Sequence, residues 1–341
     1  MKAGFSIIML LLFANLTNAY SSIQQVYILS KDNGVIYQCK YNTENNKILG
    51  NTCTKRLGIK NQSAMLINGK NIYISAYGTD QTQNSIYFSP DGLIDKLDKF
   101  QMLSRKSYGN TIVMKHSNRD TIIFPRYPYI DSNNVPNLGK IDICQVNQNG
   151  NLYCPKSKEI ILAKNQASTA VEEIDKNTLF SVSQDISSAG NNNQILKCNM
   201  DSQICDIQGG YPLGTSVPYE RRLLQTSRNH CYLYVSIPGK SDNTQNYNGT
   251  VMICDVNQQN ITACYDSEIS GISEPYGLTI NNGYLFIANR GSNTSPITQC
   301  KINIVDGSLK NCEDIQIDNL KGGISQVIFD SIKTNENHTQ S

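Results

Sequence analysis

The chain has 341 residues, long enough for one large or two modest domains with a real core. Hydrophobic residues make up 39% of it, which is low for a helical bundle and ordinary for an all-β protein with many exposed strand faces. A net charge of +2 implies no strong electrostatic partner, and the absence of a basic run disfavours nucleic acid.

The chain opens on a short positive start, Met1-Lys2, followed by the apolar stretch "AGFSIIMLLLFA". "LTNA" then puts Thr17 and Ala19 at the small-residue positions of a cleavage site. Residues 1–19 therefore read as a signal peptide cut after Ala19. An uncleaved anchor would need a longer apolar run, roughly 20 residues. No later segment is apolar enough to cross a bilayer. The mature chain is expected to be secreted or periplasmic, monomeric and without a transmembrane segment.

Export decides how the eleven cysteines read, because paired cysteines outside a reducing cytosol form disulfides. Ten fall into five close couples: Cys39-Cys53, Cys144-Cys154, Cys198-Cys205, Cys254-Cys264 and Cys300-Cys312. Cys231 is left over. The first members of the couples lie 105, 54, 56 and 46 residues apart. The first interval is about twice the others, so a cysteine-free copy is expected inside it.

In chain order, the first copy begins at "QQVYILSKDNG" and lacks an opening strand. The second reads "SAMLINGK", "NIYISAYG", "NSIYFSP" and "GLIDKLDKF", and carries no cysteine. The third runs through "NTIVMKHSN", "DTIIFPRY", "GKIDICQVN" and "GNLYCPKS". The fourth reads "TAVEEIDKN", "TLFSVSQD", "QILKCNM" and "QICDI", and the fifth "RRLLQTSRN", "CYLYVSIPG", "GTVMICDVN" and "NITACYDS". The sixth is clearest: "PYGLTINNG", "YLFIANRG", "ITQCKINIV" and "SLKNCEDI". Asn282-Gly283 and Asp306-Gly307 are strong hairpin dipeptides, and Asn68-Gly69 matches the first of them.

No long stretch has a capped helical period. Four short antiparallel strands in each repeat of about 52 residues make the blade of a β-propeller. "GGISQVIFDSIK", from Gly322, has the pattern of the missing first strand. The expected fold is an all-β, six-bladed β-propeller over residues 20–331, closed by a C-terminal strand that completes blade one and removes open sheet edges. Residues 332–341 read as a disordered tail. Five or seven blades, or a pair of β-sandwiches, are the alternatives.

Each cysteine couple then joins the third and fourth strands of one blade. Facing Cα atoms there lie about 4.5 Å apart, within disulfide range. Each bridge closes a small loop, worth roughly 2–3 kcal/mol. The Cys-x-x-Cys spacing of a zinc knuckle is absent. Cys231, in "NHCYLYV", reads as a buried, unreactive thiol, with an intermolecular bridge or a reactive thiol as the alternative.

"GLTINNGYLFIANRGSNTSPITQCKINIVDGSLKNC" resembles the YVTN-type propeller repeats of secreted and surface proteins, with "IANRGSNT" (Ile287 to Thr294) as the specific part. The paired cysteines resemble a subgroup of exported bacterial proteins. The resemblance is strong over the sixth copy and fades to pattern elsewhere. It implies a propeller fold and a binding role. It implies no reaction, although some relatives are lactonases or lyases.

Propeller sites sit at the end of the blades where the second-to-third loops and the segments leading into the first strands meet. There the sequence offers Tyr77, Arg126, Tyr127, Tyr129, Tyr219, Glu220, Arg221, Tyr276, Asn289 and Arg290 as a binding face. Aromatics and arginine suit recognition of a protein, peptide or glycan. Ser168, Thr169, Ser325 and Gln326 fall on the same side. The opposing reading is that tyrosine, present 19 times, simply suits strands.

A metal-dependent centre would need converging carboxylates or histidines. His116, His230 and His338 are scattered, with His230 expected at a turn, and Glu172 and Glu173 read as a solvated strand-end pair. Ca²⁺ in the central channel stays open as a cofactor. No nucleophile elbow, triad or phosphate loop is present, and a dyad of His230 with Cys231 fails because strand neighbours point to opposite faces. Asn61, Asn248, Asn260, Asn293 and Asn337 are glycosylation sequons, meaningful only in a eukaryotic secretory pathway. The expected function is therefore an exported, non-catalytic binding protein. A metal-dependent, lactonase-like hydrolase or lyase and a structural surface or assembly protein are the alternatives.

Overall fold

The structure is a computed structural model that describes residues 22–30, 34–59, 62–77, 84–89, 99–102, 115–118, 121–126, 138–163, 166–185, 193–208, 221–225, 230–237, 249–292, 296–318, 320 and 322–330. The expected signal peptide and tail lie outside these residues. No helix among them is long and apolar enough to cross a membrane.

The described strands build consecutive antiparallel sheets. The first contains β1 (Ile23–Ser30), β2 (Val35–Asn42) and β3 (Lys47–Leu57). The second runs β4 (Gln62–Asn68), β5 (Asn71–Tyr77), β6 (Asn84–Ser89) and β7 (Lys99–Met102). The third holds β8 (Lys115–Asn118), β9 (Thr121–Arg126), β10 (Lys140–Val146), β11 (Leu152–Tyr153) and β12 (Glu159–Ile161). The fourth is β13 (Gln166–Asp175), β14 (Thr178–Asp185), β15 (Gln194–Asn199) and β16 (Ile204–Ile207). The fifth is β17 (Arg221–Gln225), β18 (His230–Ile237), β19 (Thr250–Asn257) and β20 (Asn260–Asp266). The last is β21 (Pro275–Asn281), β22 (Tyr284–Asn289), β23 (Ile297–Ile302) and β24 (Leu309–Ile315). β25 (Ile324–Phe329) pairs antiparallel with β1, Ile28 facing Val327.

The regular four-stranded blade, expected six times, is present five times among the described residues, and the third sheet departs from it with five strands. The cause is Pro155. It cannot donate to a ladder, so the outer strand stops at Tyr153, passes through a 3₁₀ turn at Lys156–Lys158 and resumes as β12 on the same partner, β10.

Each sheet packs face to face on the next, the radial stacking of a β-propeller. Tyr27, Leu29 and Ile36 meet Met65, Ile72 and Ile74. Tyr73 meets Ile122 and Phe124, and Phe180 and Val182 meet Leu233 and Val235. Val26 and Tyr41, from the first sheet, share a cluster with Phe286 and Ala288 from the last. Each fully buried large side chain of this kind contributes about 1.5–3 kcal/mol.

The hairpins follow local rules. Asn282 and Gly283 both have positive φ (48° and 77°), the type I′ geometry that matches strand twist. Between third and fourth strands an asparagine recurs. The side-chain oxygens of Asn42, Asn147, Asn199 and Asn303 each accept the N–H two residues on, at 2.8–3.1 Å. Tyrosines then tie sheet to sheet. Tyr73 donates to the Gly150 carbonyl at 2.8 Å and Tyr234 to that of Gly307 at 2.7 Å.

All five cysteine couples are bonded as expected, each between the third and fourth strand positions of one sheet, with Cα atoms 4.0–4.1 Å apart. Cys198 faces Cys205 and Cys254 faces Cys264 directly, whereas Cys39 and Cys300 sit at bulges in their ladders.

Candidate functional site

The loop-bearing end of the last sheet holds Tyr276, Asn289 and Arg290 of the expected binding face. The ladder between β21 and β22 runs past the strands, because the Arg290 N–H donates to the Glu274 carbonyl at 3.0 Å and that of Gly291 to Ser273 at 3.2 Å. Arg290 and Glu274 thereby become a cross-strand pair. Arg290 Nη1 lies 3.5 Å from Glu274 Oε1, with 21% and 14% of the two side chains exposed. The guanidinium also stands over the Tyr276 ring, 4.9 Å from its centroid. Glu274 takes a left-handed φ of 46°, uncommon for a residue with a long side chain. Gly323, which leads into β25, crosses this corner so closely that a Cβ there would lie 1.7 Å from the Arg290 carbonyl oxygen.

Asn289 looks inward. It is fully buried, and its Nδ2 donates to Thr298 Oγ1 at 2.9 Å. The Thr298 hydroxyl donates in turn to Asp314 Oδ1 at 3.0 Å. The asparagine of "IANRGSNT" thus bolts β22 to β23 and, through Thr298, to the edge strand β24. Tyr276 is also buried. Of the three described face residues with placed side chains, only Arg290 keeps appreciable surface in solvent.

The backbone puts other expected residues at the same end of their sheets. Tyr77 ends β5, Arg126 ends β9 and Arg221 opens β17. Tyr127, Tyr129, Tyr219 and Glu220 lie outside the described residues.

The polar candidates nearer the centre are committed to internal bonds. Ser168 and Ser181 share a hydroxyl contact at 2.8 Å, and Thr169 donates to the Val182 carbonyl at 3.2 Å. Ser325 donates to Leu29 at 3.4 Å, and Gln326 Oε1 accepts the Met65 N–H at 2.8 Å. Glu172 is buried, 3% exposed, and so is not the solvated strand-end residue expected from the sequence. It follows the apolar run of β13 inward, where a ten-residue strand is too long to leave its middle in water. Among the described residues no three of His, Cys, Asp and Glu converge as metal ligands.

His230 opens β18 rather than sitting in a turn. Its Nε2 meets the Asp255 carboxylate, and its ring meets the edge of Tyr232 at 4.9 Å. Cys231 turns the other way, into the core between the fourth and fifth sheets. It is unbonded and 5% exposed. Burial, with the Asp255 charge second, pushes its thiol up to about 11, so it stays protonated.

One feature of this end carries no motif. A groove of about 640 Å³ lies at the end of the fifth sheet and along the segment that leaves it, lined by Ile237, Thr250, Asp266, Glu268 and Ile269 among others. Asp266 Oδ1 accepts from the Thr250 hydroxyl and, at 2.9 Å, from the Glu268 N–H. Acidic residues in a short connection gave no spacing signal that marked it.

No family model matches the chain, and no curated protein matches it in sequence. A Kuenenia stuttgartiensis hydrazine synthase structure is similar at 13% identity and a TM-score of 0.47, covering 81% of this chain and 75% of that one. A S. cerevisiae structure of Dbp5 bound to Nup159 and Gle1 is similar at 10% identity and a TM-score of 0.42, covering 91% and 82%. The GH74 xyloglucanase of Xanthomonas campestris is similar at 8% identity and a TM-score of 0.43, covering 84% of this chain and 53% of that one. The propeller assignment rests on the sheet order and the packing between sheets.

Proposed function

We propose that the protein is an exported, non-catalytic binding propeller of YVTN type, which captures a protein, peptide or glycan on the Arg290 end of its blades. In this reading the ring has six blades, the irregular third sheet included, and β25 completes the first. The pairing of β25 with β1 and the core shared by first and last sheets support the closure. The five disulfides suit an oxidising compartment.

The observation that carries the binding role is the setting of Arg290. Glu274 and Tyr276 fix its guanidinium before any ligand arrives, and part of it still faces solvent. An arginine held this way loses little side-chain entropy on binding, and its planar fork suits carboxylates and paired hydroxyls. Arg126 ends β9 in the third sheet and Arg221 opens β17 in the fifth, and in this reading they extend the face.

The test uses oxidised protein as bait against envelope and host-surface extracts and an immobilised glycan panel. Arg290→Ala, alone and with Arg126→Ala and Arg221→Ala, should abolish specific capture, and so should Arg290→Lys, which keeps a charge beside Glu274 to support the fold but loses the planar fork. Undiminished capture by the triple variant would rule this face out.

A further inference from the structure

At the opposite end of the last sheet, three tyrosines of the fifth sheet grip three consecutive carbonyls of the β23–β24 turn. Tyr232 donates to Val305 at 2.8 Å, Tyr265 to Asp306 at 2.7 Å and Tyr234 to Gly307 at 2.7 Å. Turn tips are normally polar and loosely held. This one is clamped, yet it holds Ile304 and Val305 70% and 80% exposed.

Beside the tip lies a groove of about 400 Å³, lined by Lys301, Ile302, Asn303, Ile304, Lys310 and Asn311. Lys301 and Lys310 are direct cross-strand partners, and both are exposed. Like charges placed opposite each other destabilise a sheet. Among the described residues neither lysine makes a close ion pair; the exposed Asp306 carboxyl, held low first by its hydrogen bonds from Ser308, also feels the Lys310 charge. The nearby Glu313 pairs instead with Lys47, at 3.7 Å. The fold thus keeps two repelling ammonium groups on the wall of an apolar groove, next to a rigid aliphatic knob.

We propose that this groove docks a partner protein through an acidic peptide segment. A carboxylate of the segment bridges Lys301 and Lys310, and an aliphatic side chain seats against Ile304. The paired charge calls for an anion, and the clamped tip offers the apolar contact with its ordering cost already met. An anionic lipid surface shares this charge chemistry, and the vesicle arm of the experiment below separates it from a peptide. Strand addition to the β24 edge fits less well, because Asn311, at φ 50°, breaks that edge with a bulge. The site is separate from the Arg290 face, and neither proposal depends on the other.

The experiment measures anisotropy of labelled synthetic peptides on the oxidised full-length protein. The probes are an alternating Asp/Leu peptide, the same peptide with Lys for Asp, and the same with Ser for Leu. Vesicles of phosphatidylserine in phosphatidylcholine form a fourth arm. The Asp/Leu peptide should bind at least about tenfold more tightly than either control, and more weakly as salt rises. Lys301→Ser with Lys310→Ser, and separately Ile304→Ser, should each weaken it about tenfold. Lys301→Ser alone should leave thermal stability equal or higher, because it relieves the repulsion. Absent binding of the acidic peptide, equal binding of the basic one, indifference to the lysine variants, preferential vesicle binding or a less stable Lys301→Ser would each overturn the proposal.

Discussion

Tyr234→Phe isolates one hydroxyl in the latch between the fifth and last sheets. Tyr234 is fully buried, and its hydroxyl donates to the Gly307 carbonyl at 2.7 Å. The substitution keeps the ring, which packs with Val251, Ile253, Leu285 and Ile287. What is lost is one hydrogen bond, and the carbonyl is left in a site that excludes water. Such a loss costs about 1–3 kcal/mol. Tyr265→Phe is the internal control. It makes the same kind of bond to Asp306, but the residue is 42% exposed, so water can replace the hydroxyl. Its cost should stay near 0.5 kcal/mol, at about the lower end for a solvent-accessible bond. Urea unfolding of the two variants against the parent measures both. Equal stability of parent and Tyr234→Phe, or a larger loss for Tyr265→Phe, would refute the idea that the tyrosine latch joins these blades.

Gly307→Ala should cost about 1–3 kcal/mol by the same assay, because φ is +70° there and a Cβ would lie 2.5 Å from the Tyr232 ring. Tyr41 and Tyr73 have their phenols pushed up to about 12 by burial, and Tyr234 is shifted in the same direction. Their folded values lie above the unfolded value of 10.0, so their contribution is intact below that pH and lost as pH rises through the folded values. Melting temperature should therefore fall between about pH 10 and 12, in step with tyrosinate absorbance, and a flat profile would contradict the burial. Cys231 should resist a thiol reagent in the native protein and yield one thiol per chain after unfolding without reductant. Rapid native labelling would contradict its protonated, core-packed state.

The repeat was legible because its signals are local. Hairpin dipeptides such as Asn282-Gly283 and cysteines on adjoining strands fix both register and strand count. The recurring Asx turn of Asn42, Asn147, Asn199 and Asn303 was equally local, in three of the four cases three residues after a cysteine, and could have been read as part of the repeat. The split outer strand of the third sheet was signalled only by Pro155. The expected binding face was legible as residue types and not as orientations. Asn289 and Tyr276 sit at the expected positions, yet their burial depends on Thr298 and on the ladder beyond β21, which strand patterning does not encode. The tyrosine clamp hid for the same reason. Tyr234 and Gly307 are 73 residues apart, and a tyrosine that latches two sheets has the same pattern as one that merely suits a strand.

The radial sheet stapled at its own outer hairpin is tested most directly by peptide mapping of the oxidised, unreduced protein. The map should contain Cys39 linked to Cys53, Cys144 to Cys154, Cys198 to Cys205, Cys254 to Cys264 and Cys300 to Cys312, with Cys231 unlinked. A bond between cysteines of different sheets, such as Cys53 with Cys300, would contradict the fold and both surfaces argued from it.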